Sequence, residues 1–135
     1  MNQDSIALIE KYYAAFNSGD MDEFLSLLTE DVIHDINQGK REIGKAAFTQ
    51  FMACMNNNYQ EQLVDMVIMA SADGKRAAAE FVVLGQYLKS DDGLPEAKGQ
   101  TYRLPAGAFF AIQNGKVARI TNYYNLQDWI AQVSA

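Results

Sequence analysis

The sequence predicts an α+β fold in which three short helices come first and a curved antiparallel sheet wraps around them. Three observations carry this reading. Apolar residues recur at helical spacing through the first third of the chain, with Leu8, Ile9, Tyr12, Tyr13 and Phe16 as the clearest stripe. From Leu63 onward the pattern changes to long runs rich in β-branched and aromatic residues. Between the last two of these runs lies Asn114-Gly115, the dipeptide that most readily supplies two residues with φ > 0 to a type I′ hairpin turn.

The elements follow in order. The first helix spans Asp4 to Asn17, and Asn17-Ser18-Gly19 ends it. Asp20, with Glu23 three residues on, imitates a capping box for a second helix whose buried side is Met21, Phe24, Leu25 and Leu28. Asp31 to Ile36 reads as a short strand with Val32, His34 and Ile36 on one face and Ile33 and Asp35 on the other. Asn37 to Lys40 is turn chemistry, and Phe48, Phe51, Met52 and Met55 outline a third helix from Gly44 to Asn58. Strands are expected at Leu63–Ala70 and Lys75–Lys89, with Val64, Met66 and Ile68 sharing a face. Neither face of these strands is plainly polar, which implies helices on one side and a second copy of the chain on the other. Pro105 and Gly107 interrupt the next strand and predict a bulge or an edge. A short helix from Asn125 to Val133 closes the chain.

Composition narrows the function classes. A length of 135 residues suits one domain, residues 1–135, and 49% hydrophobic with 21% charged residues is the balance of a chain that folds alone. The net charge of −6 repels phosphate backbones and anionic membranes, and the densest cationic cluster, Lys40, Arg41 and Lys45, is interrupted by Glu42. Neither nucleic acid nor a membrane is expected as a partner. The opening residues lack a cationic segment followed by an apolar core, and no apolar run approaches the ~20 residues of a membrane span, so a cytoplasmic location is expected. Cys54 and His34 are each the only residue of their type, which leaves no cluster with metal-ligand spacing and no expected metal. Gly-rich phosphate loops and nucleophile elbows are absent too, and no cofactor is expected.

What remains is metal-free proton transfer in a pocket between helices and sheet. His34 can take and return a proton near neutral pH because an unperturbed imidazole titrates at about 6.5. Tyr12 can donate a hydrogen bond to a developing oxyanion. Asp35 is the weaker candidate base, since it points away from His34 unless the strand register slips. The predicted pocket lining is Phe16, Phe51, Met55, Phe81, Phe110, Asn122 and Tyr124 with Tyr12 and His34, each on the face its element turns inward. Asn122 is the odd member of the last strand, an amide among apolar neighbours. A ligand could be its hydrogen-bond partner, and a small apolar molecule is the expected occupant of the pocket.

Three stretches taken together, KYYAAFNSGDMDEFLSLLTEDV, GKREIGK and FFAIQNGKVARITNYYN, resemble the nuclear-transport-factor-2-like (cystatin-like) superfamily. Within it the chain looks most like the SnoaL-like and ketosteroid-isomerase-like proteins. The resemblance spans nearly the whole chain and implies a conical α+β barrel with a deep apolar pocket, dimerising through the sheet. Tyr12 matches the oxyanion-hole tyrosine of the ketosteroid isomerases. The position of their aspartate base falls on Ile36, or on Asp35 after a slip of one residue, and that of their second acid on Ala108. SnoaL-like cyclases place an acidic residue near the position of Asn122 in some members. The resemblance thus implies an isomerase or polyketide cyclase-like enzyme, or a binding protein for a small hydrophobic ligand.

Overall fold

The computed structural model describes residues 2–135. Its elements are helices α1 (Asn2–Ser18), α2 (Met21–Ser26), α3 (Lys45–Asn58) and α4 (Leu126–Val133) and strands β1 (Leu28–Asp35), β2 (Arg41–Ile43), β3 (Tyr59–Ala70), β4 (Arg76–Tyr87), β5 (Thr101–Gln113) and β6 (Lys116–Tyr124). The strands form one curved sheet in the order β2-β1-β6-β5-β4-β3, open at both edges. Helices cover its inner face. The architecture is the expected α+β cone, with one difference: β1 pairs with β6 in parallel, while every other pairing is antiparallel.

Local chemistry explains most boundaries. Asp20 Oδ1 accepts from the Glu23 N–H at 3.1 Å and starts α2, as its capping pattern suggests. That helix stops at Ser26, earlier than expected, and Leu28 becomes the first, fully buried residue of β1 instead of a helical one. Asn114 (φ 52°) and Gly115 (φ 73°) both take positive φ and join β5 to β6 through the Gln113↔Lys116 pair. The short strand β2 is too brief to show any period and reads from sequence as loop.

One strand expectation is corrected and another is narrowed. Strand β3 begins at Tyr59, four residues before the predicted Leu63, and the register shifts between Val64 and Val67, where Asp65 has φ 54°. That bulge turns the strand over, because one extra residue reverses the faces of everything after it. Tyr59, Glu61 and Leu63 lie inside before it, and Met66, Ile68 and Ala70 after it; Val64 pairs with Val82 on the outer side. At Pro105, of the two expected outcomes, the bulge does not form, and pairing with β4 runs unbroken from Gln86↔Thr101 to Arg76↔Ala111, while on its other side the residue lies at a local edge. Pro105 is tolerated because the β5·β6 ladder ends at Ala106↔Tyr124, one residue short of it. Two residues earlier the Arg103 N–H turns to the Gln132 side chain at 2.9 Å, so donors on this side already look beyond the sheet.

Strand β4 alternates without a break, turning Ala77, Ala79, Phe81, Val83, Gly85 and Tyr87 inward. Helix α1 lays Tyr12 and Tyr13 on this surface, with Tyr13 5.3 Å from Phe81 and Tyr12 5.3 Å from Phe110 between ring centroids. Each such side chain contributes about 1.5–3 kcal/mol by leaving water. Gly85 stands between Glu61 and Tyr102 in register, and a Cβ there would lie 2.2 Å from the Tyr102 ring. The missing side chain lets Tyr102 lie across the strand and donate to Glu61 Oε2 at 2.5 Å. Gly85→Ala is therefore expected to cost about 1–3 kcal/mol through overpacking, read as a lower urea midpoint with unchanged slope.

Candidate functional site

Between the helices and the inner face of the sheet lies a cavity of about 590 Å³, within the range of small-molecule sites. Its lining is mainly aromatic and aliphatic. Tyr12, Phe16, His34, Phe51, Met55, Phe81, Asn122 and Tyr124 all border it. Phe110, the remaining predicted lining residue, does not: it is 1% exposed and fills the core behind Tyr12. Asp35 is outside the cavity as well. The register of β1 against β6 shifts between Leu28 and Ile33, but from Ile33 onward it runs unbroken, His34 opposite Ile120 and Asp35 opposite Thr121, so Asp35 keeps the face opposite to His34. There it accepts from Arg41 at 2.6 and 3.0 Å and lies 3.5 Å from Arg119, and the Arg41 hydrogen bond holds its carboxyl below the usual range. A carboxylate so paired is a poor base. Ile36 borders the cavity but has no acid to offer.

His34 is 3% exposed and is clasped by α3, its ring centroid 4.8 Å from Phe48 and 4.5 Å from Phe51. Burial among these rings lowers its pKa from 6.5, partly offset by the charges of Glu42 and Asp35. The imidazole is consequently neutral at physiological pH and able to accept a proton. Nδ1 is sealed from solvent with no hydrogen-bond partner. Nε2 is not sealed in this way and makes no hydrogen bond within the protein, which leaves it as the nitrogen open to the cavity.

Tyr12 reaches the same space from α1, linked to His34 through Phe24 (4.4 Å) and Phe48. Its burial raises the phenol pKa, so it stays a hydrogen-bond donor throughout the accessible pH range. Neither the Tyr12 hydroxyl nor the Asn122 amide bonds to any described residue, and both are available to a ligand.

Several lining residues escaped the sequence reading. Glu61 borders the cavity from β3, held by Tyr102, and burial raises its carboxyl pKa. Tyr59 donates to Asp91 Oδ2 at 3.0 Å, and Tyr87 holds the same loop by donating to the Pro95 carbonyl at 2.7 Å. Leu88, Asp91 and Leu94 of that loop border the cavity with Leu126 and Trp129 of α4. The alternation Tyr59, Glu61, Leu63 was the available signal, hidden by placing the strand's start too late. A groove on the sheet, lined by Gln60, Gln62, Leu84, Gln86 and Arg103 among others, is shallower and lacks a comparable set of unpaired groups.

A cone of helices packed into a curved, aromatic-lined sheet is the architecture of the nuclear-transport-factor-2-like class. The chain belongs to the SnoaL-like domain family, whose model matches residues 9–120. A candidate polyketide cyclase from Pseudomonas putida KT2440 is 65% identical, with a TM-score of 0.94 over 96% of this chain and 97% of that one. A second, from Xanthomonas campestris pv. campestris, is 56% identical, with a TM-score of 0.94 over 98% of each chain. A nuclear-transport-factor-2-like protein of unknown function from Burkholderia pseudomallei K96243 shares the fold at 14% identity, with a TM-score of 0.82 over 98% of each chain. None of the curated proteins matches. No helix among the described residues is long and apolar enough to cross a membrane.

The lowered pKa of His34 has a consequence for stability. Below about pH 6.5 the unfolded chain binds a proton on His34 that the native state resists, so stability falls with pH until the native imidazole also titrates. Urea unfolding from pH 7 down to 5 should show this decline, and His34→Asn should flatten it relative to the natural sequence. Equal slopes in the two proteins would show that His34 is not held neutral.

Proposed function

We propose that the protein is a metal-free acid–base enzyme of the isomerase or cyclase type, acting on a small apolar carbonyl compound held in the cavity. The observation that carries this reading is a neutral imidazole on the wall of a largely apolar cavity that also holds two unbonded polar side chains, Tyr12 and Asn122. His34 removes a proton from the carbon next to the carbonyl, the C–H pair becomes the C=C bond of an enolate, and Tyr12 donates to the resulting oxyanion. In an isomerisation the imidazolium returns the proton to another carbon. In a cyclisation the enolate carbon attacks a second carbonyl, a C–C bond forms, and the imidazolium protonates the new alkoxide. The relatives named as candidate polyketide cyclases favour the second course. The cavity is bordered by Glu61 and Asp91 and by no lysine or arginine, a balance that favours an uncharged ligand over an anionic one.

A binding protein without turnover is the alternative, favoured by Asn122, since an amide cannot take a proton. The His34→Ala variant separates the two. For the enzyme, turnover of a carbonyl substrate rises with pH through the His34 pKa, below 6.5, and falls by roughly 10²–10⁴ in His34→Ala while ligand binding survives. A substrate turned over equally fast by His34→Ala would remove His34 from the mechanism.

We further propose that a second copy of the chain covers the outer face of the sheet. Val67, Met69, Phe109 and Tyr123 are each at least half exposed there, at 52%, 50%, 52% and 53%. Phe109 and Tyr123 are packed edge to face, 5.6 Å between centroids, and form a ready apolar centre. Sedimentation at micromolar concentration should show a dimer burying more than about 1,000 Å², and Phe109→Glu should convert it to monomer. A monomer at that concentration in the natural sequence would count against this arrangement.

A further inference from the structure

Two sealed atoms without partners belong to facing residues at the β1–β2 edge: His34 Nδ1 and Glu42 Oε1. The residues are a directly opposed antiparallel pair, His34↔Glu42, so their side chains leave the sheet on the same face with Cβ atoms about 4.5–5.5 Å apart. The other charges nearby are engaged elsewhere. Arg41 is bonded to Asp35, Arg119 lies against Asp35, and Lys45 pairs with Glu30 at 3.4 Å. Helix α3 meets the imidazole with Phe48 and Phe51, which carry no charge, and β6 meets it with Ile120. Only Glu42 and Asp35 act electrostatically on His34, and Asp35 does so from the opposite face.

We infer that Glu42 is the positioning residue of His34: its carboxylate accepts the Nδ1–H and fixes the tautomer in which the Nε2 lone pair faces the cavity. The two atoms are not bonded in this structure, and rotation about the Glu42 side-chain bonds brings them together across the strand pair. Joining them satisfies both buried groups at once, which no other described residue does for either. A glutamate on the edge strand then works as second partner to the base, as carboxylates orient histidines in many acid–base sites. Its role rests on the proposed proton transfer by His34, but its geometry can be tested without any substrate.

His34 is the only histidine, so its ring nitrogens give an unambiguous NMR signal in the intact protein. In the natural sequence the ¹⁵N shifts should show a neutral ring protonated on Nδ1. Glu42→Gln should lower the titration midpoint by about one pH unit by removing the facing negative charge. Glu42→Leu should also release the tautomer, giving a mixed or Nε2-protonated ring, while Asp35→Asn should leave the tautomer unchanged. A ring protonated on Nε2 in the natural sequence, or a midpoint that stays put in Glu42→Gln, would overturn the inference. An unchanged one-dimensional methyl spectrum in Glu42→Gln establishes that the fold is intact for that comparison. If His34→Ala proved catalytically silent while these shifts were observed, the proposed chemistry would fail and the Glu42 pairing would stand.

Discussion

A 135-residue domain that keeps about 590 Å³ of its interior unfilled gives up the dispersion contacts that a packed core would make there. The rest of the structure answers that constraint with rings. At one end Tyr12, Tyr13, Phe24, Phe48, Phe81 and Phe110 form a continuous aromatic wall with centroid spacings of 4.4 to 6.0 Å. At the other, Tyr59 stacks on Tyr87 at 5.3 Å and Trp129 packs against Tyr59, Tyr87 and Tyr102. Rigid side chains with few rotamers hold a void open without adding much entropy to be lost, and each pair adds about 0.5–1.5 kcal/mol beyond its buried area. The second cluster also fixes the loop after β4, because Tyr87 accepts from the Asp91 N–H at 2.9 Å while donating to Pro95. That loop, through Leu88, Asp91 and Leu94, thereby becomes part of the cavity wall.

The two faces of β1 divide the electrostatic work. Asp35 ties β1 to Arg41 of β2 and Arg119 of β6 on the outside, where water weakens each pair to no more than about 1 kcal/mol. His34 stands on the inside, where the same water is excluded and burial decides its charge. Adjacent residues of opposite orientation thus live in opposite dielectric regimes. A carboxylate turned inward at this point would face aromatic rings with no cation to balance it; an imidazole tolerates the site because its neutral form is available at little cost.

How much of this was legible in the sequence follows from which signals are periodic. The helical stripe of α1, the Asp20 cap and the Asn114-Gly115 turn are local patterns, and the structure uses each of them. The inward residues of β1 and β6 followed from two-residue alternation, and His34 and Asn122 border one space. The failures are non-local or single-residue events. Nothing in the spacing of Val64, Asp65 and Met66 announces a bulge with positive φ at Asp65, and β2 has only three residues. Phe110 was assigned to the correct face but not to the correct depth, which depends on where Tyr12 lies above it. Glu61 escapes the sequence because a strand start is the least determined of boundaries, and its hydrogen bond comes from a donor two strands away across the intervening Gly85.

The pattern of satisfied and unsatisfied groups separates structural polarity from functional polarity. Tyr59, Tyr87, Tyr102 and Glu61 are polar, wholly or partly buried and bonded, and they hold loops and strands together. Tyr12, Asn122 and His34 are bonded to no described residue, although the fold places them on three different elements. Of their polar atoms only His34 Nδ1 is sealed without a partner, an arrangement that costs about 1–3 kcal/mol, a large fraction of a small domain's net stability. All three border the one cavity. The remainder of the wall is mainly aromatic and aliphatic, so a polar group brought against it would give up its water without a replacement partner.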